Sequence, residues 1–180
     1  MKMHPKGILL TLLARIVASH ELNENFEDGA IDNWTLGSYS TQIEFQVMDT
    51  GSGPAPQNLS IGNYYLATVK ASLGASGTAI LRSADFELTD GLILEFDFWG
   101  KSLYAGSSGI IVYYLNENGA DAMIKSVGFS SNTSYRWWTI RVNFPTSGHF
   151  SNVQIRLSVS SEDEDAGGID NIRFVDLSAV

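Results

Sequence analysis

Leu92-Ile93-Leu94-Glu95-Phe96-Asp97-Phe98-Trp99 is the stretch whose reading decides the fold. Successive side chains of an extended chain point to opposite sides. Leu92, Leu94, Phe96 and Phe98 therefore share one face, and Glu95, Asp97 and Trp99 the other. That alternation predicts a half-buried strand. Working outward, Ile110–Leu115 is apolar on both faces and reads as a central strand, and Met123–Phe129 follows an Asn116-Glu117-Asn118-Gly119 hairpin turn. In Arg136–Phe144 the residues Trp138, Ile140, Val142 and Phe144 point inward and Trp137, Thr139, Arg141 and Asn143 outward. Val153, Ile155, Leu157 and Val159 point inward against outward Gln154, Arg156 and Ser158. Toward the N-terminus, Thr78–Arg82, Tyr64–Val69, the alternating Ile43, Phe45 and Val47, Trp34–Leu36 and Leu22–Phe26 continue the series. Short alternating runs divided by turn residues, with no convincing helix after residue 20, predict an all-β, two-sheet antiparallel β-sandwich. Its core is expected to hold Phe45, Leu94, Phe96, Trp138, Ile140, Ile155 and Ile172.

Composition agrees. The 180 residues are 44% hydrophobic and 17% charged, which suits one globular domain with a substantial core. The net charge of −9 argues against a nucleic-acid partner. The absence of cysteine excludes disulfides and thiol catalysis. At the N-terminus Lys2, His4 and Lys6 precede the apolar run Gly7–Ala14, and Val17 and Ser19 suit a cleavage site. Residues 1–19 are read as a secretory signal or, alternatively, an N-terminal assembly helix, with residues 20–180 as the sandwich domain. The apolar run is too short for a transmembrane span once Arg15 is counted.

Two acids stand out at the ends of the domain. In Gly167–Phe174, strict alternation puts Asp170 on the same face as Ile172 and Phe174, and a carboxylate in such a row is costly without a partner. Glu27, in Asn25-Phe26-Glu27-Asp28-Gly29, is its best companion by type. If the first and last strands are neighbours, the two can share a hard cation such as calcium, which takes carboxylate and carbonyl oxygens. The alternative is two separate surface acids. The acidic run Glu162–Asp165 reads as a solvated turn.

The order of these signals resembles a known group of domains. Phe26-Glu27-Asp28-Gly29 followed by Trp34 resembles the opening of bacterial jelly-roll carbohydrate-binding modules. Thr78–Phe86, then Leu92–Gly100, is similar to the middle of MAM-like and cleaved-adhesin domains, and Trp138–Val142 and Gly168–Ile172 continue the pattern. The resemblance implies a jelly-roll sandwich of the concanavalin or galactose-binding kind, secreted or displayed at the cell surface, with a structural calcium. Its positions for metal-binding acids match Glu27 and Asp170. The chain lacks the cysteines of animal MAM domains.

The outward rows carry the candidate ligand site. Trp99 and Trp137 stand on otherwise polar faces beside Glu95, Asp97 and Arg141, a mixture of apolar rings and directional polar groups suited to a sugar. A protein interface or a covering loop would account for the same tryptophans. Glu95-Phe96-Asp97 also resembles the Glu-x-Asp-x-Glu strand of sandwich glucanases, but Trp99 stands where the third carboxylate is required. His4, His20 and His149 come with no nucleophile-elbow motif. The sequence therefore reads as a non-catalytic extracellular carbohydrate-binding or adhesion module. The rival is a structural subunit of a surface filament, virion or adhesive assembly, self-associating or bound to cell-surface protein.

Overall fold

The computed structural model of the chain describes residues 18–51, 55, 62–115, 121–129, 136–144, 148–150 and 152–176. Residues 1–17, most of the segment read as a signal or assembly helix, lie outside them. Among the described residues there are twelve strands: β1 (Trp34–Ser38), β2 (Ile43–Asp49), β3 (Tyr64–Lys70), β4 (Gly77–Ser83), β5 (Phe86–Leu88), β6 (Leu92–Lys101), β7 (Gly109–Leu115), β8 (Asp121–Gly128), β9 (Trp138–Asn143), β10 (Gly148–Phe150), β11 (Asn152–Val159) and β12 (Ala166–Asp176). They form two five-stranded sheets, β1-β4-β11-β7-β8 and β2-β3-β12-β6-β9, with β5 and β10 as a small ribbon. Every pairing is antiparallel. This is the expected jelly-roll-like sandwich. The helical content among the described residues is one 3-10 turn, Ser19–Leu22.

The inner rows face each other across one core. Leu81, Ile110, Val112, Val153, Ile155 and Leu157 come from one sheet, and Phe45, Leu66, Leu94, Phe96, Phe98, Ile140 and Val142 from the other. Each such side chain contributes about 1.5–3 kcal/mol when fully buried. Of the expected core residues, Phe45, Leu94, Phe96, Ile140, Ile155 and Ile172 are buried.

Trp138 is the exception, at 40% exposed. Its register opposite Phe98 turns it toward the core side. It is, however, the first residue of β9, an edge strand, and β8 is an edge strand too. The margin of the sandwich stays open there, and the Arg136 guanidinium lies over the Trp138 ring, 3.4 Å from its centroid.

Two other differences lie at the chain ends. The stretch read as a first strand, Leu22–Phe26, is the end of the 3-10 turn followed by one isolated bridge, Glu24 to Ile172. In β12 strict alternation fails. A register shift lies between Asp170 and Arg173, and Asn171 adopts a left-handed φ of 49°. The extra residue brings Ile169, Ile172 and Phe174 all into the core and sets Asp170 opposite Asp97 on the outer face. β3 pairs with β12 only at Gly168 and Ile169, and Glu24 takes its place at Ile172.

Gly168 fixes how the outer face of this sheet is built. It pairs with Trp99, and a Cβ there would meet Trp99 Nε1 at 2.4 Å and the Leu66 carbonyl oxygen at 3.0 Å. Gly168→Ala is therefore expected to destabilise the fold by about 1–3 kcal/mol, the usual cost of overpacking. It should lower the urea midpoint with an unchanged denaturant slope. An unchanged midpoint would show that the indole is free to move.

Candidate functional site

The outer face of the β2-β3-β12-β6-β9 sheet holds the expected ligand residues, and most of them are engaged with one another. Glu95 is buried and ion-paired twice: Arg141 Nε donates to Oε1 at 2.6 Å and Arg173 Nε to Oε2 at 3.1 Å. Burial alone would raise the Glu95 carboxyl, but the two guanidinium groups outweigh it and hold the acid below its ordinary range. Asp97 is buried as well, and accepts from Thr139 Oγ1 at 2.7 Å and from Asn171 Nδ2 at 2.9 Å. An acid pair saturated in this way is a poor proton donor or nucleophile, in line with a non-catalytic reading.

The two tryptophans part company. Trp99 is 1% exposed, packed with Tyr65 and Ala67 under Met48, Ala55 and Trp137. Trp137 is half-buried, edge-on to both Tyr65 and Trp99, with ring centroids 5.8 and 6.4 Å away. The expectation that Trp99 offers a ring to solvent is thus overturned. Alternation put it correctly on the outer face, but that face carries a second small core.

Asp170 lies nearby on the same sheet face, 0% exposed. Its Oδ1 accepts the Asn171 backbone N–H at 2.7 Å, and its Oδ2 is buried with no hydrogen-bond partner. Burial, followed by the like charges of Asp97, Glu27 and Glu24, pushes its carboxyl up to about 7 against the partial relief of that N–H. The first and last segments do meet here: Glu24 and Ile172 exchange backbone hydrogen bonds at 2.8 and 2.7 Å. Glu27 docks the start of β3, accepting the backbone N–H groups of Asn63 and Tyr64 at 2.8 and 3.0 Å. Gly62 makes room for it, since a Cβ there would fall 1.9 Å from Glu27 Oε1. Phe26, beside Glu27, is left-handed at φ 59°, as Asn171 is beside Asp170. Two non-glycine residues in that region, one of them aromatic, mark local strain held by the surroundings. Among the described residues no group of three or more His, Asp or Glu side chains forms a ready-made metal cage. A cation at Asp170 would need backbone carbonyls to complete its shell.

The outer face of the other sheet holds a second constellation. Arg156 on β11 lies over the Tyr113 ring of β7, 3.9 Å from its centroid, and 5.2 Å from that of Tyr39, which follows β1. Its Nε donates to Gln154 Oε1 at 2.9 Å, and its Nη2 pairs with the Asp121 carboxylate. Tyr39 is 65% exposed, and its backbone N–H is tied to the Thr78 carbonyl at 3.1 Å. Gln154 and Arg156 take the outer face as the sequence pattern has it, but Gln154 is 1% exposed there, bonded to Arg156. Tyr39, Tyr113 and Asp121 carry no periodic signal that singles them out. Only the sheet order brings residues 39, 113, 121 and 156 together.

The acidic run is not simply a solvated turn. Asp165 is buried, and Ser102, Ser108 and Ser160 hydroxyls and the Leu103 N–H donate to it. Burial would raise this carboxyl, but those donors together hold it below its ordinary range. At the open margin between β8 and β9, Phe98, Val127, Phe129, Trp138 and Ile140 line an apolar cleft of about 450 Å³ with Lys125 and Arg141 at its sides.

No protein-family model matches the chain, and no curated protein does. The fold is similar to several solved structures at low identity. One is TmCBM61, described in complex with β-1,4-galactotriose, at 17% identity over 85% of this chain and 94% of that one, with a TM-score of 0.58. Another is the K1 cleaved adhesin domain of Lys-gingipain from Porphyromonas gingivalis W83, at 15% identity over 86% and 96%, with a TM-score of 0.63. A third is the enzymatically active domain of tailspike protein 4 of bacteriophage CBA120, at 16% identity and a TM-score of 0.55, where the match spans 84% of this chain and 20% of that one. These likenesses show a jelly-roll sandwich shared with carbohydrate-binding and adhesin modules.

Asp170 makes stability depend on pH with a defined sign. In the folded, metal-free protein its carboxyl keeps a proton to about pH 7, whereas the unfolded chain releases it near 3.8. The stabilisation is full below about pH 4, declines as pH rises, and is gone above about pH 7. In chelator, Asp170→Asn is expected to flatten that slope and to raise the melting temperature at pH 8. A wild-type profile already flat between pH 4 and 7 would contradict this.

Proposed function

We propose that the chain is a non-catalytic, secreted or surface-displayed glycan-binding module. The observation that carries this reading is the Tyr39–Arg156–Tyr113 array on an open sheet face. An exposed phenol ring offers apolar area to a sugar ring. Beside it, the Asp121 carboxylate supplies a directional group for hydroxyls, while Gln154, 1% exposed, is spent on holding Arg156 in place. The array is also locked, because one guanidinium contacts both rings and both polar partners, so little side-chain freedom is lost on binding. The site first expected around Trp99 is less suited, because its rings and acids satisfy one another.

Calcium is the second part of the proposal. The unpartnered Asp170 Oδ2, with Glu24 and Glu27 close enough to repel it, is the kind of donor set a hard cation relieves. Asp170 and Glu27 are the residues to hold it, and the cation's role is to neutralise a buried acid where the two chain ends meet.

A protein partner is the second reading, favoured by Trp138 and the apolar cleft between β8 and β9. In that case the domain is a subunit of an adhesive or surface assembly.

On a glycan array the protein is expected to retain at least one saccharide class. Tyr39→Ala and Tyr113→Ala should each weaken that binding by about 1–2 kcal/mol without lowering the melting temperature much. Trp99→Ala should instead cost stability, about 3–5 kcal/mol, as a buried aromatic does. If no saccharide binds while Trp138→Ala abolishes self-association, the protein-interface reading replaces this one. Calcium should raise the melting temperature of wild type and leave that of Asp170→Asn unmoved.

A further inference from the structure

Arg82 is a cation of this sheet that pairs with no acid among the described residues. It stands on β4, exposed, and its guanidinium has no ion-pair or hydrogen-bond partner among the described residues. Its strand register puts it directly opposite Gln154, and Gln154 directly opposite Tyr113. Arg82, Gln154 and Tyr113 thus form one row across three adjacent strands, with Met123 beyond Tyr113. Arg156 lies one outward position along from Gln154 and bonds to its amide oxygen. Its own charge is met by Asp121 and covered by the tyrosine ring. The row from Arg82 to Tyr113 spans two strand spacings, about 10 Å, which is the reach of two linked pyranose rings.

Of the five arginines among the described residues, Arg141, Arg156 and Arg173 pair with acids and Arg136 lies over Trp138, which leaves Arg82 open. The net charge is −9, so carboxylates outnumber cations almost two to one. Glu95 already takes two arginines and Asp121 a third. A free, planar donor fork next to the aromatic array is a ready partner for a carboxylate, which arginine grips with two parallel hydrogen bonds.

We infer that this face selects an acidic saccharide bearing a ring carboxylate, a uronic-acid-type unit, with Arg82 binding the carboxylate while the neighbouring sugar lies on the Tyr39–Arg156–Tyr113 array. The inference rests on the glycan-binding reading and adds charge selectivity to it. Arg82 is separate from the residues that hold the array together, so its replacement leaves the rings in place.

The test compares oligogalacturonate, the same oligosaccharide with its carboxyls methyl-esterified, and a sulfated oligosaccharide of equal length, by titration calorimetry. Wild type is expected to bind the acid form at least ten-fold more tightly than the ester. Arg82→Gln should erase that preference while keeping the ester affinity, and Arg82→Lys should restore only part of it, since an ammonium cannot make the two-pronged contact. Circular dichroism and melting temperature should match wild type in both variants. Equal affinity for acid and ester overturns the inference and leaves the glycan-binding reading standing. Tighter binding of the sulfated oligosaccharide than of the uronate overturns it too, because bare charge is then being read. If none of the three binds but the array shows a neutral glycan, the inference fails alone. If no saccharide binds at all, the glycan-binding reading fails with it.

Discussion

The structure turns on one buried carboxyl group and the kink that aims it. Asp170 lies in the middle of β12, a central strand, where an acid has no solvent and one oxygen has no partner. Without the bulge at Asn171 the side chain would share a row with Ile172 and Phe174 inside the hydrophobic layer, where the cost of a charge is several kcal/mol. The bulge moves it to the opposite face and lets Ile169, Ile172 and Phe174 all reach the core. The same kink ends the pairing of β12 with β3, and Glu24 fills the gap. One irregularity therefore decides the position of an acid, the packing of three apolar residues and the docking of the N-terminal segment. The left-handed Phe26 and Asn171 are the local cost of that arrangement, and each lies beside an acid, Glu27 and Asp170.

How far the fold was legible follows from the same residues. Where a strand is regular, as in β2, β6 and β11, alternation alone assigns its faces. It fails at Asn171, because a bulge changes the period and nothing in Ile-Asp-Asn-Ile announces it. It also fails at Trp138, whose face was read correctly but whose exposure depends on two edge strands leaving a margin open. Trp99 teaches the complementary point. Periodicity tells which side of a sheet a residue takes, and what covers that side is settled by Tyr65 and Trp137 from other strands.

The candidate site was less legible than the fold for a topological reason. Tyr39, Arg82, Tyr113, Asp121 and Arg156 come from five different strands or their ends, in the spatial order β1-β4-β11-β7-β8. That order does not follow the chain, so no window of sequence contains the constellation. The meeting of the two chain ends was easier to read, since the first and last segments of a sandwich are natural neighbours, and Glu24 does bridge to Ile172 beside Asp170. The Asp165 cluster shows the opposite case, an acid in a run of acids that is nonetheless inside, because Ser102 and Ser108 of the β6–β7 connection reach it, together with Ser160 of its own.

The contrast between Asp165 and Glu95 divides the molecule in its response to ionic strength. Glu95 is held by two guanidinium ions, one of them on a largely exposed side chain, so added salt competes for that contact within a Debye length of about 8 Å. Asp165 is held by neutral hydroxyl and amide dipoles, and no described cation forms an ion pair with it. Raising the salt should therefore loosen the β9 margin of one sheet while the joint between the β6–β7 and β11–β12 connections keeps its grip, and the domain would unravel from a chosen side.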